Sequence, residues 1–74
     1  MAKKPAAEAV YRVTEVIGSS PTSWEDAAKN AVAAAAKSLR DLRIAEVAKL
    51  DMKVENGKVV AYRARILLSF KYDA

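Results

Sequence analysis

The side chains that most often perform catalysis near neutral pH are missing from this sequence. Its 74 residues include no histidine and no cysteine, so the commonest general base, the commonest transition-metal ligand and the thiolate nucleophile are all lacking. In the remaining residue types, no nucleophile stands beside a base that could activate it. We therefore predict that the protein is not an enzyme, and that it contains no disulfide.

Two oppositely charged residues flank the pair Asn56-Gly57, which is the strongest short sequence signal for a β-hairpin turn. Asp51 lies about five or six residues before this turn, and Arg63 lies about as many after it. Residues at equal distances from a hairpin turn face each other across the two strands. The sequence therefore predicts a cross-strand ion pair between Asp51 and Arg63.

The acidic residues near this turn raise the possibility of a calcium site. Calcium takes six to eight oxygen ligands, whereas Glu46, Asp51 and Glu55 are dispersed along one segment. Only symmetry-related copies of the chain could bring them together. Their ordinary interpretation is a solvated or salt-bridged face, so the ligands of any metal stay unknown from the sequence.

The basic residues do not predict nucleic-acid binding. The net charge is +4 and the isoelectric point is near 9.6, but Arg63, Arg65 and Lys71 are interspersed with acids, and there is neither a GxxG clamp nor an aromatic-rich strand signature. No apolar run is long enough to span a membrane. The first residues lack the apolar core of a signal peptide, so we expect a cytoplasmic protein.

Residue patterning predicts four elements of secondary structure. Alternating β-branched and polar residues indicate a first strand that Gly18 ends. Thr22 and Glu25 fit a capping box with Thr22 as the N-cap, and the apolar positions that follow recur on one helical face. Every second residue after the Asn56-Gly57 turn is apolar. The sequence therefore predicts a strand at 10–17, a helix at 24–39, and strands at 44–54 and 59–72.

Together these elements predict one α+β domain with the order β-α-β-β. The domain covers residues 9–74. The preceding residues, 1–8, show no pattern and contain Pro5, so we expect a disordered N-terminal arm.

The length of the last predicted strand indicates self-association. Fourteen extended residues span about 46 Å, whereas the predicted helix covers about 24 Å. Part of the apolar row would be bare in a monomer, and 53% of the residues are hydrophobic, so we predict a closed homo-oligomer with Leu68, Phe70 and Tyr72 in its interfaces. The alternative is a monomer whose strongly curled sheet wraps the helix.

The sequence resembles the dodecin family over residues 9–72. The stretches that carry the resemblance are GSSPTSWEDAA at 18–28, LRIAEV at 42–47 and YRARILLSFK at 62–71, separated by an alanine-rich helix. The resemblance implies a three-stranded antiparallel sheet partly wrapped around one helix, and a hollow homododecamer. Many dodecins bind flavins between subunits and store or quench them without catalysis.

The resemblance also assigns a ligand site, and this sequence departs from it at three positions. Ile44 stands where flavin-binding dodecins have the tryptophan that stacks on the flavin, Arg63 where they have a glutamine, and Asp51 where they have an arginine. The pattern is closest to a subgroup that lacks this tryptophan and is associated with calcium. Trp24 opens the helix instead, and we interpret it as a core or interface anchor.

Two functions follow from the resemblance. The first is a shell that binds and stores a small ligand of the flavin type, FMN or riboflavin, with weak flavin affinity because Ile44 cannot stack. The alternative is a flavin-free structural or calcium-binding shell of the same architecture.

Overall fold

The computed structural model describes residues 10–71, and the expected arm at residues 1–8 lies outside them. The elements are the strand β1 (Tyr11–Ser20), the helix α1 (Trp24–Ala36), and the strands β2 (Leu42–Glu55) and β3 (Lys58–Lys71). The predicted order β-α-β-β is confirmed. No helix in residues 10–71 is long and apolar enough to cross a membrane.

The last strand occupies the centre of a three-stranded sheet. The strand order is β1-β3-β2, and β3 pairs antiparallel with both neighbours. Asn56 and Gly57 join β2 to β3 with positive φ angles of 52° and 75°, as a two-residue type I′ turn requires. The predicted hairpin is therefore confirmed.

The hydrophobic core lies between α1 and the middle of β3. Ala27 and Ala31 of α1 pack against Ala64, Ile66 and Leu68 of β3, and all five side chains are buried. The alternation along β3 puts its small and branched apolar residues under the helix, as predicted.

Leu68, which the sequence analysis expects in a subunit interface, belongs to this core. Its exposed fraction is 0% in the single chain, because α1 covers this part of β3.

The first strand continues three residues past its predicted end at Ile17. Gly18 does not stop it, because this glycine serves the contact between β1 and α1. A Cβ atom on Gly18 would lie 2.1 Å from the carbonyl oxygen of Ala27 and 2.8 Å from the Cβ of Ala31. Only glycine permits the helix to lie this close to the strand.

The helix begins and ends at different residues from those predicted. Its N-cap is Ser23, whose Oγ accepts a hydrogen bond from the Asp26 amide at 3.0 Å, and not Thr22. Buried Ser20 donates to the Asp26 carboxylate at 2.8 Å and accepts from the Thr22 amide at 2.9 Å. These bonds position the start of α1 against the end of β1. The helix then ends at Ala36, three residues early.

The helix covers only two of the three strands. It packs on β1 and β3 and makes few contacts with β2, so residues 43–55 are all exposed in the single chain. Leu50 and Met52, for example, have solvent-exposed fractions of 50% and 46%. The sheet of a single chain therefore leaves most of β2 outside its contact with the helix.

We predict that Gly18→Ala lowers the free energy of unfolding by about 3 kcal/mol, because the new methyl group would collide with the helix backbone and force it off the sheet. Chemical denaturation at fixed protein concentration measures this. Ser19→Ala, at the exposed neighbouring position, is the matched control and should change stability by less than about 0.5 kcal/mol. Equal stability of the two variants would contradict the close packing of α1 on β1.

Candidate functional site

The predicted ion pair lies on the sheet face that α1 leaves uncovered, which we call the outer face. Asp51 of β2 and Arg63 of β3 are directly opposite in the strand register. Arg63 donates from Nε to Oδ1 and from Nη2 to Oδ2 of Asp51, each at 2.7 Å. Two parallel short bonds orient both side chains more strictly than a single contact would. The predicted cross-strand pair is therefore present.

This pairing changes the acidity of both groups. The hydrogen bonds from Arg63 lower the pKa of Asp51 below its ordinary value of 3.8, and the positive charge of Arg65 adds to the effect. The same bonds raise the pKa of Arg63. Both side chains are about half exposed, so the pair is accessible to solvent and to any partner that covers this face.

A second arginine on β3, Arg65, forms its ion pair with β1, whereas Arg63 pairs with β2. Arg65 lies 3.5 Å from the carboxylate of Glu15 on β1. The central strand therefore carries two neighbouring cations, one neutralised from each side of the sheet. Lys49 stands directly opposite Arg65, and this juxtaposition of like charges is unfavourable unless a carboxylate offsets it.

Ile44 is also on the outer face, but the single chain does not bring it near the ion pair. Ile44 faces Ser69 in the register, whereas Asp51 faces Arg63. Ser69 and Arg63 are six residues apart on one strand, so about 20 Å separates Ile44 from the pair. At this distance, Ile44 could meet the ion pair only if it came from a second copy of the chain. Its exposed fraction of 57% leaves it accessible for such a contact.

Trp24 fixes the Asp51 segment from the other face of the sheet. Its Nε1 donates to the backbone carbonyl of Asp51 at 2.9 Å. Its ring packs edge-to-face on Tyr62, with centroids 5.1 Å apart. Trp24 thus anchors α1 to the hairpin within one chain. Sequence patterning did not indicate this bond, although a partly buried indole N–H generally requires an acceptor.

The acidic residues do not converge in one chain. Among residues 10–71, no group of three or more carboxylates is placed to hold a metal ion. Glu55, for example, pairs with Lys53 at 3.5 Å beside the hairpin turn. Asp51 and Glu55 are thus each ion-paired within the chain.

The expected interface residues fall in three different environments. Leu68 is buried in the core, as described above, and Tyr72 lies outside the described residues. Phe70 is half-buried near the end of β3. On the inner face, a separate apolar groove of about 320 Å³ runs between α1 and β2, and its walls include Val32, Val47 and Ile66.

Comparison with known proteins identifies the relatives of this fold. The family model described as Dodecin matches residues 10–73. The calcium dodecin of Mycobacterium tuberculosis is 47% identical over 62 residues, which are 84% of this chain and 87% of that protein.

Two solved dodecin structures are also similar to this chain. Dodecin from Streptomyces coelicolor superposes with a TM-score of 0.84 at 35% identity, covering 92% of this chain and 97% of that chain. The crystal structure of the M. tuberculosis calcium dodecin, described as having a novel calcium-binding site, superposes with a TM-score of 0.76 at 48% identity, covering 86% and 91%. With its β-α-β-β order and three-stranded antiparallel sheet, the chain belongs to the dodecin family.

Proposed function

We propose that the protein is a subunit of a closed homo-oligomeric shell of twelve copies, which binds and stores a small ligand and does not catalyse a reaction. The observation that supports this most is the apolar surface that one chain leaves exposed. Eleven large hydrophobic residues in the range 10–71 have solvent-exposed fractions of 41–59%. A chain of 8.0 kDa cannot bury them alone.

The distribution of these side chains favours a closed assembly over a simple dimer. Val13, Ile17 and Ile44 are exposed on the outer face, whereas Val47, Leu50 and Met52 are exposed on the inner face beside the helix. Covering each half-exposed side chain would contribute about 1 kcal/mol before the entropy of association is subtracted. Because both faces need cover, each subunit needs more than one neighbour.

The outer face does not fit a tightly bound flavin. Ile44 has no aromatic face to stack on a flavin ring. The donors of Arg63 are already used by Asp51 at 2.7 Å, so they are not free for the polar edge of the ring. Occupying this site would require breaking a bidentate ion pair, and we therefore propose weak flavin binding.

A flavin-free shell that binds calcium is the second candidate, and one comparison favours it. The M. tuberculosis relative of known structure is a calcium dodecin with a calcium-binding site. A calcium ion needs six to eight oxygens, and residues 10–71 of one chain do not gather even three carboxylates. Calcium binding here would therefore need carboxylates from several copies.

Sedimentation velocity at micromolar concentration should show one species near twelve chain masses, because an isolated subunit would expose both apolar faces. Leu50→Glu should dissociate it, since a charge would replace an exposed leucine on the inner face of β2. Lys58→Gln, at the hairpin end of β3, makes the same change in net charge and should leave the assembly intact. A well-folded wild-type monomer would refute the shell.

Ligand choice can be decided by titrating the assembled protein with riboflavin, FMN and calcium chloride. We expect no quenching of flavin fluorescence at nanomolar protein, because nothing stacks on the ring. Ile44→Trp combined with Arg63→Gln should restore affinity by creating the stacking and amide groups that the family uses. Tight flavin binding by the wild type would contradict the proposal of weak flavin affinity. Absence of calorimetric heat on titration with calcium would exclude the calcium-binding alternative.

Asp51→Ala should weaken the assembly more than Asp51→Ala with Arg63→Ala, because the single change leaves one arginine without its carboxylate in a face that other subunits cover. Additive effects in this double-mutant cycle would show that the pair does not contribute to assembly.

The same pair should make stability depend on acid pH. Because Arg63 lowers the pKa of Asp51 below 3.8, the native state binds this proton less readily than the unfolded chain does. The contribution of Asp51 is therefore complete above the unfolded value, and it is lost as the pH falls from that value through the lower folded value. Thermal unfolding between pH 6 and 3 should show a smaller acid loss in Asp51→Asn than in the wild type.

A further inference from the structure

Two charged side chains near the middle of β2 lack an ion pair in the described part of the chain. Glu46 and Lys49 are both exposed, and neither pairs with any residue in the range 10–71. In contrast, each of the two arginines on the outer face has a carboxylate partner. Within residues 10–71, the middle of β2 therefore carries one carboxylate and one cation that the chain itself does not neutralise.

A β-bulge puts these two side chains on the same face of the sheet. Glu46 faces Leu67 and Lys49 faces Arg65, and the strand register shifts between Val47 and Lys49. Without the extra residue of the bulge, side chains three positions apart would point to opposite faces. Because Leu67 and Arg65 are two residues apart on β3, Glu46 and Lys49 lie about 7 Å apart along the outer face.

Covering the outer face would bury both charges without a partner. Val13, Ile17 and Ile44 are exposed on this face and favour its burial, whereas an unpaired buried charge is strongly unfavourable. Lys49 has the less favourable position, because Arg65 stands directly opposite and takes its carboxylate from β1. Whatever covers the outer face must therefore present a carboxylate to Lys49 and a cation to the carboxylate beside it.

A second copy of the chain meets both requirements through symmetry. In a two-fold contact both subunits use the same patch, so that residue i contacts residue j and residue j contacts residue i. We consider an axis in the plane of the sheet, perpendicular to the strands, that crosses β2 midway between Glu46 and Lys49. It places Glu46 of each copy over Lys49 of the other and forms two ion pairs. A partner of another kind would need both charges at the same spacing of about 7 Å.

The same axis covers Ile44. The midpoint between Glu46 and Lys49 is level with Ile66 of β3. Ile44 is paired three residues to one side of this level, and Asp51 is paired three residues to the other side. The axis therefore exchanges these two rows, and the exposed Ile44 of each copy lies over the Asp51 row of the other. A single chain cannot make this contact.

We infer that the outer faces of two copies pack together about this axis and are held by reciprocal ion pairs between Glu46 and Lys49. The inference rests on the proposed shell, because it specifies one of the contacts that close the assembly. It also explains how the like charges of Lys49 and Arg65 are accommodated side by side, since the carboxylate that offsets them comes from the second copy.

Charge reversal tests this contact, with sedimentation velocity over a dilution series as the measurement. Glu46→Lys and Lys49→Glu each bring like charges together at the axis. Each should raise the protein concentration at half-dissociation at least about tenfold. Both changes in one chain should restore the wild-type value. A 1:1 mixture of the two single variants should restore it as well, because every contact can then join one chain of each kind with opposite charges facing.

Lys58→Glu is the matched control, because it makes the same change in net charge as Lys49→Glu at an exposed position beside the hairpin turn. It should leave the concentration at half-dissociation within about twofold. Far-ultraviolet circular dichroism shows whether each variant is folded.

The outcomes separate this contact from the shell itself. A wild-type monomer would refute the proposed shell. An assembled wild type whose two single variants dissociate no more readily would overturn the two-fold contact and leave the shell standing. Rescue by the double variant without rescue by the mixture would show a pair within one chain and overturn the contact between copies. Dissociation of the single variants without either rescue would show a general effect of charge and overturn it too.

Discussion

The difference in length between one helix and three long strands is the constraint on which the rest of this structure depends. A helix of 13 residues is about 20 Å long, whereas the 14 residues of β3 extend about 46 Å. The helix covers the middle of β3 and its β1 neighbour, and it makes few contacts with β2. Apolar burial within one chain is therefore limited to a small core, and the remaining apolar surface can be removed from water only by other molecules.

The position of the helix follows from a few specific contacts at its N-terminal half. Gly18 lets the helix backbone lie directly on β1, Ser20 hydrogen-bonds to Asp26 at the first turn, and Trp24 donates to the Asp51 carbonyl across the sheet. These contacts connect α1 to β1 and β2, and the Trp24 ring also packs on Tyr62 of β3. They also support the backbone of Asp51 from behind, so that its carboxylate is held facing Arg63 on the opposite side of the sheet.

Much of this architecture could be predicted from local patterns, because hairpins and amphipathic helices depend on residues close in sequence. The Asn56-Gly57 turn set the register and hence the contact between Asp51 and Arg63. Features that depend on distant parts of the chain were missed or misread. Gly18 appeared to end a strand, because its helix contact involves Ala27 and Ala31. The complete burial of Leu68 within one chain was not foreseen either, because only the structure shows how far the helix extends along β3.

The topology also has a consequence for how the chain is made. The sheet order β1-β3-β2 pairs Tyr11 with Lys71, so the first strand to leave the ribosome has no partner until the last one has been synthesised. The β2–β3 hairpin has local contacts and can form early, whereas closing β1 onto β3 requires a loop that spans nearly the entire chain. Translation of the final strand is therefore the step that completes the sheet. Until then β1 is an unpaired apolar segment, and the nascent chain is most exposed to aggregation during that interval.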